Sequence, residues 1–473
     1  IMELTKNYDG KRWKLVYGDY CGMEAHAVDL VQAAIKRFVP YILPVYRYDN
    51  VPDDGRNTVY VGTKDSNPFV GEKLADVSPA DDGICVRVTD DGGCVVIAGG
   101  NAAACYYAAT VFADDYLPSA RRRAAGHPFF VTPFVDALPE YEYISSPMIA
   151  ERGLWTWGHV IFDYRGYIRN MARLRLNKIT VWNDFAPING KEFVEYAHSW
   201  GIRVIWGYSW VWDESPDKVL SDPAERERWK NSIVNRYVNE YAPLGGDGIY
   251  FQTFTETEAE TVAGKNRAAA AVEWVNEVAD ALLEKCPGLV IEFGLHASSV
   301  RNHLDEIEKT DPRVDIIWED CGAFPYHYNP MKTESYDTDR VFSEKIAALR
   351  GGKGFGAVMK GMTWLDWAAF EHQVGPFIIG ESERTECEEK LALRRDIIRF
   401  QESYWMQNGN LACDMFRMLA KATGGSAKLS GLLEDSLFDG HIWLPAALFA
   451  ELLWDGKTEW NELLGRVARR EYI

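Results

Sequence analysis

The sequence predicts an α/β protein built on a (β/α)8 TIM barrel, preceded by a small α/β domain and closed by C-terminal helices. Three observations predict it. Between Glu151 and Phe370 a short apolar strand ending in tryptophans and acids alternates with an amphipathic helix, seven times over. Strands that alternate with helices pair in parallel, and seven or eight such units in roughly 250 residues make a closed barrel. At 473 residues the chain is also too long for one ordinary core, and its first 145 residues carry a different pattern. The boundaries expected are 1–145 for the small domain, 146–385 for the barrel, and 386–473 for barrel closure and terminal helices.

In the first domain, MEAHAVDLVQAAIKRFV (23–39) has helical spacing and NTVYVGT (57–63) is a strand ending in Gly. DDGICVRVTDDGGCVVIAGG (81–100) alternates around an Asp-Gly-Gly turn, a hairpin signal, and NAAACYYAATVFADDYL (101–117) is helical. The run Arg121, Arg122, Arg123 reads as a solvated linker. The barrel begins near Ile149. Its strand ends are GLWTWGH (153–159), ITVWND (179–184), VIWGYSWVWD (204–213), GIYFQTFTETE (248–258), VIEFGLHAS (290–298), VDIIWEDCGAFPYHY (314–328) and VMKGMTWLDW (358–367). Helices are expected over 164–177, 191–201, 224–242 and 266–286, then over 387–422 and 444–456. The eighth strand gives no clear signal; it is either short or lies around 374–380, and its position stays open.

Composition narrows the partners. With 47% hydrophobic and 26% charged residues the chain is an ordinary globular protein. Its net charge of −19 argues against nucleic acid or an anionic membrane as partner and disfavours polyanionic polysaccharides, unless a local basic pocket overrides the global field. No apolar run approaches the ~20 residues of a membrane span. The eight cysteines show no CxxC and no metal-ligand spacing. Reduced core thiols are expected, which favours a cytoplasmic protein; the sequence opens on Ile, so a removed leader and a secreted form stay open. No cofactor and no metal are expected, and a homo-oligomer is open.

In a barrel of this kind the carboxyl ends of the strands face the site. Here they hold Trp155, Trp157, Trp182, Trp206, Trp210, Trp212, Trp318, Trp364 and Trp367, interleaved with Asp184, Glu256, Glu258, Glu319, Asp320 and Asp366. Indole faces stack on the C–H faces of a sugar, while carboxylates bind hydroxyls and move protons. The expectation is a carbohydrate substrate and glycoside hydrolysis, which needs a proton donor and a second group as nucleophile, base or support. Glu256, ending the fourth strand after the apolar GIYFQTF, is the candidate acid, since apolar neighbours disfavour the charged carboxylate. Glu258 reads as the acid opening the next helix or as a substrate ligand. Glu319 and Asp320 close the sixth strand; adjacent strand residues face opposite sides, so one faces the pocket, and which of them stays open.

The remaining candidates are ligands of the sugar. Asn183, Asp184, Tyr326 and Asp366 are expected on hydroxyls. His159, His296, His327 and His372 lie near strand ends without metal-ligand spacing, and His296 is counted with the ligands. The stretch WGYSWVW (206–212) runs past the length of a strand. Trp206, Trp210 and Trp212, with Trp182 and Trp364, are therefore expected to form an aromatic platform under the terminal sugar, and Trp155 is counted with the substrate ligands.

VYVGT (59–63), DGICVRV (82–88) and VVIAGGNAAACYYAATVF (95–112) resemble the small domain that precedes the catalytic barrel in one clan of exo-acting sugar hydrolases. That clan includes family-20 β-N-acetylhexosaminidases, family-84 enzymes and family-67 α-glucuronidases. RGLW (152–155) and YIRNMARLRLNKITVWND (167–184) carry the likeness into the barrel, and LPAALFAELLWDG (444–456) resembles its last helix. The resemblance implies an exo-glycosidase, β-N-acetylhexosaminidase-like, with an α-glucuronidase-like hydrolase or a non-catalytic carbohydrate-binding barrel as alternatives. Family-20 enzymes carry Asp-Glu after the fourth strand; here Thr255 precedes Glu256, so only the acid carries over. FQTFTE (251–256) resembles the α-glucuronidase fourth strand, and a uronate substrate would need a cation, with Arg152 or Lys360 as its source. A sugar lyase or isomerase, a further alternative, would normally need a metal.

Overall fold

The computed structural model describes residues 11–37, 39, 41–124, 138–211, 214–296, 299–321, 336–362, 373–380, 384–433 and 438–473; the side chains of 121–124, 320–321, 384–387 and 390 lie outside the description. The chain forms two compact units, Ile1–Pro147 with Ser199–Gly201 and Ala468–Ile473, and Met148–His198 with Ile202–Val467.

The first unit is a six-stranded sheet in the spatial order Val45–Arg47, Trp13–Tyr17, Asn57–Gly62, Cys94–Gly99, Ile84–Thr89, Tyr141–Ser145. The first four strands pair in parallel and the last two antiparallel. The hairpin turns through Asp90, Asp91 and Gly92, all left-handed in φ. Asn101 caps the following helix Ala102–Thr110, its Oδ1 accepting from the Ala104 amide at 2.8 Å. Cys85, Cys94 and Cys105 are buried thiols, and burial pushes the Cys85 thiol up to about 11.

The second unit is a closed barrel of eight parallel strands: Glu151–Trp157, Lys178–Trp182, Arg203–Gly207, Gly248–Gln252, Val290–Leu295, Val314–Cys321, Phe355–Met359 and Lys428–Leu432. It is a (β/α)8 TIM barrel accompanied by a separate small sheet unit. Seven strands fall where periodicity places them, and the eighth does not. It follows the 40-residue helix Arg384–Thr423 and a turn through Gly424 and Gly425, both left-handed. The segment 374–380 instead bonds to the loop after strand two: the Ile188 amide donates to the Phe377 carbonyl at 2.8 Å, and Asn189 and Ile379 exchange bonds of 2.9 Å.

Side chains alternate in and out along each strand. Trp155, Trp157, Trp182, Ile205, Tyr250, Ile317, Val358 and Leu432 meet in one interior cluster. Tyr250 fills the space beside strand five so fully that a Cβ on Gly294 would lie 2.0 Å from its hydroxyl. The amino end of the barrel is built of charge. Arg203 pairs with Glu151 (2.5 Å), Lys428 with Glu151, Glu292 and Asp315 (3.3, 3.7 and 2.7 Å), and Lys178 with Glu292 (2.6 Å). Six strands contribute one member each.

Candidate active site

At the carboxyl end, strand six delivers Glu319 and the exit of strand seven delivers Lys360. Ile317 belongs to the interior cluster and Trp318 packs outward, edge-on to Phe342 at 5.3 Å, so Glu319 comes back to the inside. Its side chain is 3% exposed and meets the Lys360 ammonium, 11% exposed, at 3.3 Å. The register between these strands shifts between Trp318 and Cys321, a bulge that re-aims the last residues of strand six. Asp320 stands in that bulge with its side chain outside the description, and Glu319 points inward.

The fourth and fifth strand exits bring a second carboxylate. Glu256 Oε2 lies 3.9 Å from Nε2 of His296, with the carboxylate 48% and the imidazole 13% exposed. The apolar enclosure expected around Glu256 is absent, because the chain turns outward after Phe254, whose φ is left-handed. Glu258 is exposed on the same loop. The two loops are tied together: Ser299 Oγ donates to the Thr255 carbonyl at 2.8 Å, and Asn302 Nδ2 to Glu260 at 3.0 Å.

Over strands one and two, Trp155 stacks on Trp182 at 5.9 Å, and Trp157 meets Trp182 edge-on at the same distance. All three are buried, so they form the apolar floor of the mouth rather than an open platform. Asn183 is also buried. Its Nδ2 donates to the Val181 carbonyl at 3.1 Å, and its Oδ1 would lie 2.0 Å from any Cβ on Gly158, which keeps that position glycine. Asp184 is half-buried beside it, and its carbonyl accepts from Arg236.

Three expected ligands are elsewhere. Arg152 is the second residue of strand one and so sits at the opposite end of the barrel. Its guanidinium is spent on backbone carbonyls, of Arg175 at 2.9 Å and of Ile149 and Ala150 at 2.8 Å. Trp206 lies between inward Ile205 and Gly207 and therefore points out, donating to the Gly245 carbonyl at 2.9 Å and packing on Phe193 and Tyr241. Trp210 stacks flat on Phe251 at 3.4 Å. The expected aromatic loop above the barrel is absent over 208–210 because this stretch keeps following strand four: the amides of Tyr208 and Trp210 donate to the carbonyls of Tyr250 and Gln252, both at 3.1 Å. Trp212, Tyr326, Trp364 and Asp366 lie outside the described residues.

Sequence reasoning did not single out two residues of this end. Tyr250 forms part of the floor and accepts from Gln252 at 3.1 Å. Asp439, after strand eight, accepts from the Phe162 and Asp163 amides at 2.8 and 2.9 Å and so fixes the loop after strand one. Tyr250 was legible as the inward phase of GIYFQ; Asp439 gave no local signal, its partners being 277 and 276 positions away. Among the described residues no cluster of three or more His, Cys, Asp or Glu is arranged to hold a metal.

Among solved structures the chain is similar to a GH138 enzyme targeting pectin rhamnogalacturonan II, over 95% of this chain and 65% of that one, at 9% identity and a TM-score of 0.53. It is also similar to a family GH115 4-O-methyl-α-glucuronidase with specificity for decorated arabinogalactans, over 94% and 57%, at 14% identity and a TM-score of 0.50. A β-N-acetylhexosaminidase aligns over 83% and 87% at 13% identity, with a TM-score of 0.47. The chain thus spans less than two thirds of the length of the first two. No protein-family model and no curated protein matches the sequence. At these identities the likeness establishes the fold, a barrel with an accompanying domain that glycoside hydrolases of several families use.

Proposed function

We propose that this chain is a glycoside hydrolase acting on the terminal sugar of an oligosaccharide or glycoconjugate. The observation that carries the proposal is the Glu319–Lys360 pair, a carboxylate and an ammonium 3.3 Å apart inside the carboxyl end of the barrel. A buried charge pair is costly to build, and the mouth of a barrel is where such a cost is met by function. The ammonium holds the inward-facing Glu319 carboxylate in place by a direct charge contact at 3.3 Å. Glu319 therefore serves as nucleophile or as base for water. Glu256, half-exposed beside His296, serves as the acid that protonates the leaving oxygen, and its exposure lets it take a new proton from solvent each turnover.

Two sugars compete. A β-N-acetylhexosaminidase-like activity would need a group to hold the acetamide, and Thr255 stands where family-20 enzymes have Asp. An α-glucuronidase-like activity needs a cation for the uronate. With Arg152 committed at the other end, Lys360, beside Glu319, is a cation among the described residues of this end, which favours an acidic terminal sugar. A panel of aryl glycosides, including N-acetylglucosaminides and glucuronides of both anomers, tests both, with product anomers followed by NMR. Release from a glucuronide is expected. Release from the hexosaminide alone reverses the choice of sugar, and no release from any member favours a carbohydrate-binding barrel.

A further inference from the structure

A groove of about 510 Å³ runs along one face of the helix Tyr336–Ala347, outside the barrel interior. That volume is in the range of small-ligand sites and admits one or two sugar rings. Its floor is Phe342 with Val341, the latter 51% exposed. Arg301, from the loop after strand five, lies over the Phe342 ring with its Cζ 5.0 Å from the centroid. The same ring meets Trp318, the residue before Glu319, edge-on at 5.3 Å. A guanidinium laid on a ring keeps its N–H donors in plane and directed past the ring edge.

Lys345 adds a second cation, one turn of helix beyond Val341. Asn302 and Thr338 offer an amide and a hydroxyl, and Asn302 is held in place by Glu260 at 3.0 Å. Asp337 is the one carboxylate among the described lining residues. Among the described residues the groove thus sets Arg301 and Lys345 against Asp337, on a chain of net charge −19, and it combines an apolar floor with hydrogen-bonding rims. Those are the two faces of a sugar, with a place for an anionic group besides.

We infer that this groove is an accessory subsite for an acidic sugar unit, one bearing a carboxylate or a sulfate, in the glycan that extends from the residue being cleaved. The inference rests on the glycosidase reading for its context, but its test does not use turnover. Calorimetric titration of the full chain would compare an oligogalacturonate, its carboxyl-reduced neutral counterpart and a sulfated galactan oligosaccharide. An acidic oligosaccharide should bind and weaken with added salt, and the neutral one should bind at least about tenfold less tightly. Arg301→Gln and Lys345→Gln should each weaken acidic binding about 5- to 30-fold, while hydrolysis of a small aryl glycoside stays as in the parent. Which acidic oligosaccharide binds tells carboxylate from sulfate. Equal affinity for acidic and neutral chains, or variants that bind like the parent, would overturn the subsite. Binding that depends on Arg301 and Lys345 in a chain that hydrolyses nothing would leave the subsite standing and remove the glycosidase.

Discussion

Glu256 and Glu319 are asked to do different things, and substitution separates them. Glu256→Gln should lower turnover roughly 10²- to 10⁴-fold on substrates with poor leaving groups, and much less on activated aryl glycosides that depart without a proton. Equal losses on both would remove Glu256 from the acid role. Trp206 and Trp210 offer the opposite test. Both are buried outside the barrel interior, so truncation to Ala should cost roughly 3–5 kcal/mol of stability. Affinity for sugar, measured on the folded fraction, should not change. A variant that stays as stable as the parent but loses sugar binding would return these rings to the site. An indole cluster at a strand end looks alike in sequence whether it lines a mouth or packs under helices; only strand phase distinguishes the two, and the pairing of 208–210 with strand four is not written in WGYSW.

At the level of the element, the charge layer at the amino end of the barrel makes stability depend on pH. Burial disfavours the charged form of Glu151, but Lys178, Lys428 and Arg203 together outweigh it and hold its carboxyl below the ordinary value. Burial likewise opposes the charge on Lys428, and Glu292, Asp315 and Glu151 hold it above the ordinary range. A depressed carboxyl stabilises the fold above its unfolded value, about 4.3 for Glu, and that stability is lost as pH falls through the lower folded value. The raised lysine contributes fully below about 10.4 and loses its contribution only as pH rises through the folded value. Both contributions are therefore complete at neutral pH. Urea unfolding from pH 7 to pH 3 should show stability falling below about pH 4.3, with a shallower fall in Glu151→Gln. Parallel curves for the two proteins would mean the charge layer does not govern acid stability. Lys428→Met should cost up to roughly 3–5 kcal/mol at neutral pH, since Asp315 loses its ammonium while Glu151 and Glu292 keep only Arg203 and Lys178.

For the whole molecule, seven of the eight barrel strands were legible because each is an apolar run bounded by turns and followed by an amphipathic helix. The eighth, KLSGL, has only two leucines set among Lys, Ser and Gly, and it follows a helix of 40 residues where a shorter crossover would be usual. Of the site, the strand-exit acids were legible as polar residues closing apolar runs. The pairing of Glu319 with Lys360 was not, because it depends on a bulge and on register between strands 41 positions apart.

The lateness of that eighth strand has a consequence for how the protein is made. Strand one is complete at Trp157, yet its second neighbour is not synthesised until Lys428–Leu432. At ribosomal speeds this leaves strand one with a bare edge for on the order of tens of seconds, and strand seven for roughly ten seconds. An unpaired edge is a template for another chain. A chain ending at Thr423 should therefore emerge with all seven earlier strands and still be retained by chaperones or lost to aggregates, as fractionation of the translation products would show. A soluble monomer of that length would mean an open seven-stranded intermediate protects its own edges. The last fifty residues then act during biosynthesis as a latch, and they set the moment at which a nascent chain stops being a hazard to its neighbours.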